Sequence, residues 1–216
     1  MTMANPEETG SHPQTPQAGK SRGIATNSEK AGRRSAPSDV KTIWTIGHST
    51  RSIEEFMDLL AAYELQLVAD VRRHPGSRAY PQYGQEALEQ SLRNAGLAYR
   101  WLPDLGGRRK AAADSPNTAW RNASFRGYAD YMSTPAFAQG LETLLDLARQ
   151  ARTVLMCAEA PWWRCHRSMI ADALCVQGIT VLHIMDAHHA TKHPMTAPAR
   201  IEHGLLTYAA PESSAS

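Results

Sequence analysis

Hydrophobic and polar positions alternate between two periods along the middle of the chain, and this alternation predicts strands that are followed by helices. Short apolar runs typical of buried strands occupy residues 42–46, 65–71, 97–102, 153–157 and 179–185. Between them, helical spacing of apolar residues begins after Ser52 and covers residues 85–95, 125–132, 135–150 and 168–177. The pattern indicates a single α/β domain with a mostly parallel five-stranded sheet and helices on both faces.

The two ends of the chain differ in composition from this middle part. Residues 1–40 nearly lack large apolar side chains, so burial cannot offset the entropy of folding and we predict a disordered tail. Residues 41–185 are predicted to form the core domain. Residues 186–216 are predicted to pack partly on the core, with a hairpin or strand over 199–208 and disordered last residues. The loop setting of His188, His189 and His193 favours solvated side chains.

Composition and charge narrow the class of protein. The chain has 216 residues, of which 42% are hydrophobic, and no apolar run reaches the about 18 residues that a membrane span needs. Its three cysteines are an odd number and lie within one short part of the sequence, so they do not suggest a framework of disulfide bonds. This favours a reducing cytoplasm. A net charge of +2 is too small to indicate nucleic-acid binding by itself. Residues 72–126, however, are rich in arginine, and guanidinium groups suit phosphate or carboxylate ligands.

The densest cluster of reactive side chains lies at a strand-to-helix junction, in the segment 157–167, which reads Cys-Ala-Glu-Ala-Pro-Trp-Trp-Arg-Cys-His-Arg. Cys165 precedes the helix, where amide donors and the helix dipole stabilise an anion. We therefore predict that its thiol faces solvent and acts as a nucleophile. His166 is predicted to be its base or ion-pair partner, and Arg164 and Arg167 are predicted to hold an anionic group at the helix start. Glu159 is either a general acid or base or the ion-pair partner of an arginine. Packing as a small hydrophobe is the alternative for Cys165 and the preferred interpretation for Cys175.

Polar side chains also follow the other predicted strands, and the carboxyl ends of parallel strands open toward one rim. Asp70 ends a buried strand and needs a partner, for which Arg167 is the candidate. We expect these residues to meet at one site. The predicted catalytic residues are Cys165, His166, Glu159, Cys157 and His48. The predicted substrate-binding residues are Arg72, Arg78, Arg167, Ser49, Trp163 and Asp70; helix capping is an alternative for Ser49.

Three of these residues, Cys157, Cys165 and His166, also offer atoms that ligate metals. Their spacing differs from the close Cys-x2–4-Cys pair of a closed structural zinc site. The sequence also holds neither a phosphate-cradling Gly-x-x-x-x-Gly-Lys loop nor a dinucleotide fingerprint. No cofactor is therefore predicted, and a metal on the three residues is kept as an alternative.

Several motifs in fixed order resemble the family called domain of unknown function 488. They are Thr45-Ile-Gly-His-Ser-Thr50, Asp70-Val-Arg72, Pro75-Gly-Ser-Arg78, Pro81-Gln-Tyr83, Leu105-Gly-Gly107, Trp120, Ser124-Phe-Arg-Gly-Tyr128, Cys157-Ala-Glu159, Trp163-Arg-Cys-His-Arg167 and His183-Ile184. The resemblance covers about residues 42–208. It implies an α/β fold and a shared site, and it supplies no substrate.

Three functions are compatible with these observations. The first is an enzyme that acts on a small phosphorylated or nucleotide-like anion through the Cys/His/Glu/Arg site. The second is sulfur transfer with a persulfide on Cys157, because the strand that ends in Asp-Val-Arg and the later strand that ends in Cys resemble the rhodanese layout. The third is a non-enzymatic nucleic-acid-binding or adaptor protein that uses the arginine-rich middle. None of the three implies a membrane partner.

Overall fold

Five strands of the protein occupy the five apolar runs of its sequence. A computed structural model describes residues 40–211, so the predicted tail, apart from Val40, and residues 212–216 lie outside the described part. The strands are β1 (Thr42–Gly47), β2 (Leu67–Asp70), β3 (Ala98–Trp101), β4 (Thr153–Cys157) and β5 (Thr180–Ile184). They pair in parallel in the order β3-β2-β4-β1-β5. Both β2 and β4 are buried along their whole length, as expected for strands covered on two faces.

The sheet contains a sixth strand, so the prediction of five strands was wrong by one. Strand β6 (Ala190–Lys192) pairs antiparallel with β5, with His183 opposite Thr191. Its three residues carry no apolar alternation, and pairing at the sheet edge is what makes them a strand. A separate hairpin of β7 (Arg200–Glu202) and β8 (Leu205–Thr207) lies in the segment predicted to form a hairpin or strand.

The helices follow the periodicity of the sequence closely. They are α1 (Ile53–Ala62), α2 (Gln85–Asn94), α3 (Ala123–Met132), α4 (Pro135–Gln150) and α5 (Arg167–Val176). Ser52 and Glu55 form a reciprocal capping box at the start of α1. Thr134 caps α4, and Pro135 occupies its first position. Within residues 40–211, no helix combines the length and apolar composition that a bilayer crossing requires.

The helices cover the two faces of the sheet in two groups. Helices α1 and α2 pack on one face through side chains such as Phe56 and Leu88. Helices α3, α4 and α5 pack on the other face through side chains such as Tyr128, Leu144 and Met169. After β1 the chain forms β2 and β3 toward one edge of the sheet, and it then returns to form β4 between β2 and β1. The order in which strands are added to the sheet therefore reverses at β1 and β4. Ligand sites of open α/β sheets form at such reversals, outside the carboxyl ends of the strands.

Candidate active site

A cavity of about 710 Å³ lies where β1, β2 and β4 end. The predicted site residues that line it are His48, Ser49, Arg72, Cys157, Glu159, Cys165 and His166. The predicted substrate-binding residues that do not line it are Asp70, Arg78, Arg167 and Trp163. Arg78 is exposed, and Trp163 is 54% exposed. The cavity therefore gathers the predicted catalytic residues but only part of the predicted binding set.

The loops after β1 and β4 are joined by backbone hydrogen bonds. The amide of His48 donates to the Cys157 carbonyl and the amide of Ser49 to the Ala158 carbonyl, each at 2.9 Å. A Cβ on Gly47 would lie 1.9 Å from the carbonyl oxygen of Glu159, so only glycine permits this approach. Ser49 has a φ of 50° and does not cap α1, a role that Ser52 fills. These contacts hold the thiol-bearing loop against the end of β1.

The sulfur of Cys165 lies within contact distance of three polar side chains. It is 3.3 Å from Oε2 of Glu159, 3.6 Å from Nδ1 of His166 and 3.4 Å from Nε of Arg167. Oε2 of Glu159 also accepts a hydrogen bond from the Cys157 thiol at 2.9 Å. Cys165 is only 2% exposed, so the prediction that its thiol faces solvent was wrong. Cys165 instead belongs to the wall of the cavity, and Glu159, His166 and Arg167 contact its sulfur.

The groups around the two sulfurs shift the pKa values of Cys165 and Cys157 in opposite directions. Burial alone would raise the pKa of Cys165, but the hydrogen bond from Cys157 and the charges of His166 and Arg167 lower it well below its ordinary value. The hydrogen bond to Cys165, burial and the charge of Glu159 raise the pKa of Cys157 well above its usual range. The opposite shifts favour the proton on Cys157 and the thiolate on Cys165.

His166 is fixed on both sides of its ring. Its Nε2 donates to the Val71 carbonyl at 3.0 Å, which directs Nδ1 toward Cys165. A Cβ on Gly107 would lie 2.7 Å from Nδ1, so the glycine leaves the space that the ring occupies. Burial lowers the pKa of His166, but the nearby Cys165 thiolate more than compensates and raises it above 6.5. The two shifts favour a thiolate on Cys165 beside an imidazolium on His166, 3.6 Å apart.

The carboxylate of Asp70 pairs with Arg72, and the prediction that Arg167 is its partner was wrong. Nε of Arg72 donates to Oδ1 at 2.9 Å and Nη2 donates to Oδ2 at 2.6 Å, while Tyr99 donates its hydroxyl to Oδ2 at 2.8 Å. The chain bends after β2, so two residues that are only two positions apart share a bidentate pair. The buried Arg167 donates instead to the carbonyl oxygens of Glu159 and Ala160.

Two arginines that were absent from the predicted binding set, Arg73 and Arg108, line the cavity together with Arg164, which was predicted to hold an anionic group. All three are exposed, and none has a carboxylate within salt-bridge distance among the described residues. The Gly106-Gly107-Arg108 turn and the position of Arg164 beside Cys165 were the available sequence signals. Since Arg72 is neutralised by Asp70, the unbalanced positive charge of the cavity comes from these three side chains.

His48 lies flat against Tyr83, with ring centroids 4.0 Å apart and planes 14° apart. Burial, followed by the charge of Arg72 and opposed by the bond to the Ser49 carbonyl, lowers the pKa of His48 to about 4. The imidazole is therefore neutral near pH 7. Its place in the cavity wall makes it an uncharged hydrogen-bonding group for a ligand.

The metal-compatible residues are close together. Ligand atoms of Cys157, Cys165 and His166 all lie within 4.8 Å of one another. The guanidinium of Arg167 contacts the Cys165 sulfur, so a permanent positive charge already occupies one side of this group.

The fold and this site define an α/β protein with a cysteine-centred cavity at the carboxyl edge of its sheet. The chain belongs to the family described as Domain of unknown function DUF488, whose model matches residues 52–174, more than half of the sequence. No curated protein and no solved structure gives a significant match to the chain. The family description names no reaction, so a function has to be argued from the residues of the cavity.

Proposed function

We propose that the protein is a cysteine-dependent transferase or hydrolase that acts on a small phosphorylated or nucleotide-like anion. The observation that carries this proposal is the position of Cys165 in the wall of an arginine-lined cavity, with His166 3.6 Å and Arg167 3.4 Å from its sulfur. A thiolate held by two cations is prepared to attack an electrophile, and it needs no further base to remove its proton.

The cavity wall supports an anionic substrate of small size. Arg73, Arg108 and Arg164 offer guanidinium groups without carboxylate partners among residues 40–211, and such groups bind phosphate in bidentate fashion. A volume of about 710 Å³ lies in the range of small-molecule sites. Phe125 and Tyr80 add aromatic surface on which a base or another flat group packs.

The groups around Cys165 supply a balanced two-step reaction. The thiolate forms a bond to the electrophilic atom, and the bond to the leaving group breaks as its electron pair moves to that group, which takes a proton from His166. Water or an acceptor hydroxyl then attacks the intermediate, gives its proton to the Glu159 carboxylate and releases the thiolate. Return of that proton from Glu159 to His166 restores the starting state, so the net change is transfer of the substrate group to water or acceptor.

The sulfurtransferase alternative assigns the persulfide to Cys157. The raised pKa of that thiol and its hydrogen bond to Glu159 argue against it as the attacking group. The nucleic-acid alternative relies on the arginine-rich middle, in which Arg72 is neutralised by Asp70 and Arg73 donates to the Arg108 carbonyl. Neither alternative accounts for the thiolate–imidazolium pair inside a cavity.

Alkylation of the three cysteines tests the proposal without a known substrate. At pH 6 we expect iodoacetate to modify Cys165 at least about tenfold faster than Cys157 or Cys175, because the pKa of Cys165 is lowered whereas those of the other two are raised. Peptide mass spectrometry of the intact chain after timed quenching measures each rate. Faster modification of Cys157 would favour the sulfurtransferase alternative and overturn the proposal.

The same alkylation assay tests whether the arginines that line the cavity make it positively charged near Cys165. Iodoacetate is an anion and iodoacetamide is neutral, so the ratio of their rates at Cys165 reports local positive charge. Arg164→Gln is expected to lower this ratio about threefold at low salt, because it removes one nearby charge. The matched control is Arg78→Gln, which removes an exposed arginine that does not line the cavity and should leave the ratio unchanged. Equal ratios in both variants would remove the argument for an anionic substrate.

Elemental analysis of the purified protein addresses the metal alternative. We expect less than stoichiometric zinc or iron, because the Arg167 guanidinium contacts the Cys165 sulfur and repels a divalent cation. One tightly held metal per chain, lost in Cys165→Ser, would instead make Cys157, Cys165 and His166 a metal centre and exclude the nucleophile role.

A further inference from the structure

A continuous series of buried side chains runs from the C-terminal part of the protein to the sulfur of Cys165. We call it the buried polar chain, and its members are Asp172, His193, His183, Thr45 and Arg167. Each is 5% exposed or less. Asp172 and Arg167 make no ion pair with each other among the described contacts, and the carboxylate of Asp172 lies 2.9 Å from His193, which forms an ion pair with it when protonated. A packed interior holds such a series only when its hydrogen bonds are satisfied.

The contacts of the buried polar chain are short at one end and longer at the other. His193 Nε2 lies 2.9 Å from Oδ1 of Asp172, and His183 Nε2 lies 2.8 Å from Nδ1 of His193. Nδ1 of His183 is 2.6 Å from Oγ1 of Thr45. Nη1 of Arg167 donates to that same Oγ1 at 3.5 Å. The series therefore connects a helix α5 carboxylate to the guanidinium that contacts Cys165.

The carboxylate end determines the donor at the first step, and a neutral His193 carries the same direction along the series. Asp172 also accepts hydrogen bonds from the amide and hydroxyl of Thr196 and from the hydroxyl of Tyr208, so its oxygens can only accept. His193 must then donate through Nε2 and, when neutral, accept through Nδ1. His183 repeats this arrangement, and its pKa, lowered by burial to about 3, keeps it neutral.

When His193 is neutral, the direction of these bonds gives Thr45 one consistent role. Its hydroxyl proton goes to His183, so its lone pairs face Arg167 and accept from Nη1. Nη2 of Arg167 donates to the carbonyls of Glu159 and Ala160, and Nε is left to donate to the Cys165 sulfur. The guanidinium is thus held in one plane by acceptors on two sides, with its third side toward the sulfur.

We infer that the buried polar chain is a set of positioning residues that holds the Arg167 guanidinium against the sulfur of Cys165. The inference rests on the proposed nucleophile, and it extends the working site to residues that do not line the cavity. Three of them, Thr45, His183 and His193, lie outside the residues 52–174 that the family model matches. Trp162 stacks on His183 with ring planes 5° apart, which keeps that ring in the orientation the series requires.

A pair of substitutions at Thr45 tests this inference. Thr45→Val keeps the shape of the side chain and removes the hydroxyl, whereas Thr45→Ser keeps the hydroxyl. We expect Thr45→Val to slow iodoacetamide alkylation of Cys165 about tenfold at pH 6 and to move the midpoint of its pH–rate profile upward, because a displaced guanidinium stabilises the thiolate less. Thr45→Ser should retain the wild-type profile. A merely structural role would change thermal stability but leave this midpoint in place.

A change at the far end of the series provides the second measurement. Asp172→Asn should move the Cys165 midpoint in the same direction as Thr45→Val, although Asp172 has no contact with the sulfur. His188→Gln, at an exposed histidine, is the control. Folded Thr45→Val and Asp172→Asn proteins with an unchanged midpoint would overturn the inference and leave the nucleophile intact. If wild-type Cys165 is itself slow at pH 6, the proposed function fails, whichever result the variants give.

Discussion

Asp70→Asn is expected to lower the free energy of unfolding by about 3 to 5 kcal/mol, which is the range for breaking a buried ion pair on one side. Asp70 is fully buried and accepts from the backbone and side chain of Arg72 and from the Tyr99 hydroxyl. An asparagine in its place leaves the Arg72 guanidinium charged and buried without a counter-charge. Urea unfolding followed by circular dichroism measures the difference.

The control for this substitution is Glu89→Gln. Glu89 pairs with Arg93 at 2.9 Å, but both side chains are exposed, and such pairs contribute at most about 1 kcal/mol. A loss below about 1 kcal/mol in Asp70→Asn would mean that Arg72 does not depend on Asp70 for its charge balance. The argument that Arg72 is unavailable to a ligand would then also have to be withdrawn.

Acidification is expected to destabilise the protein strongly, because two buried histidines are neutral in the folded state. Burial lowers the pKa of His48 to about 4 and that of His183 to about 3, whereas both titrate near 6.5 when unfolded. Between pH 6.5 and these lowered values the unfolded chain binds protons that the folded protein does not. The free energy of unfolding therefore falls as the pH falls, by on the order of 5 kcal/mol in total by pH 4.

His48→Phe separates one of these contributions from other titrating groups. Phenylalanine keeps a ring that can stack on Tyr83 and cannot be protonated. Since the pH dependence of stability counts protons taken up on unfolding, the variant should take up about one proton fewer than the wild type at pH 5. His188→Phe alters an exposed histidine and should not change the proton count. Identical uptake in His48→Phe and wild type would show that His48 is already charged when folded.

Much of the fold follows from local signals that the structure leaves unmodified. The Thr134-Pro135 pair predicts the start of α4, and the Ser52/Glu55 capping box predicts the start of α1. Strand β4 occupies the apolar run that predicts it, residue for residue. These elements have strong propensity and a clear period, so tertiary contacts do not override them. Strand β6 lacks both, and only its partner β5 makes it extended.

The site was harder to derive, because its partners are set by three-dimensional contacts. Cys165 precedes helix α5 and was expected to face solvent, but it is only 2% exposed and its sulfur contacts Glu159, His166 and Arg167. His193 was predicted to be solvated from its loop setting, which was wrong, since it is buried between His183 and Asp172. Spacing along a chain carries no information on which buried donor will reach which acceptor.

The partners of Asp172 bear on how far the protein can be trimmed for biochemical work. His193, Thr196 and Tyr208 supply every side-chain donor described for this carboxylate. A fragment ending at residue 185 would keep all the residues that line the cavity. It would, however, leave the Asp172 carboxylate of helix α5 without these side-chain donors. The smallest piece that keeps all three side-chain donors of Asp172 therefore reaches Tyr208.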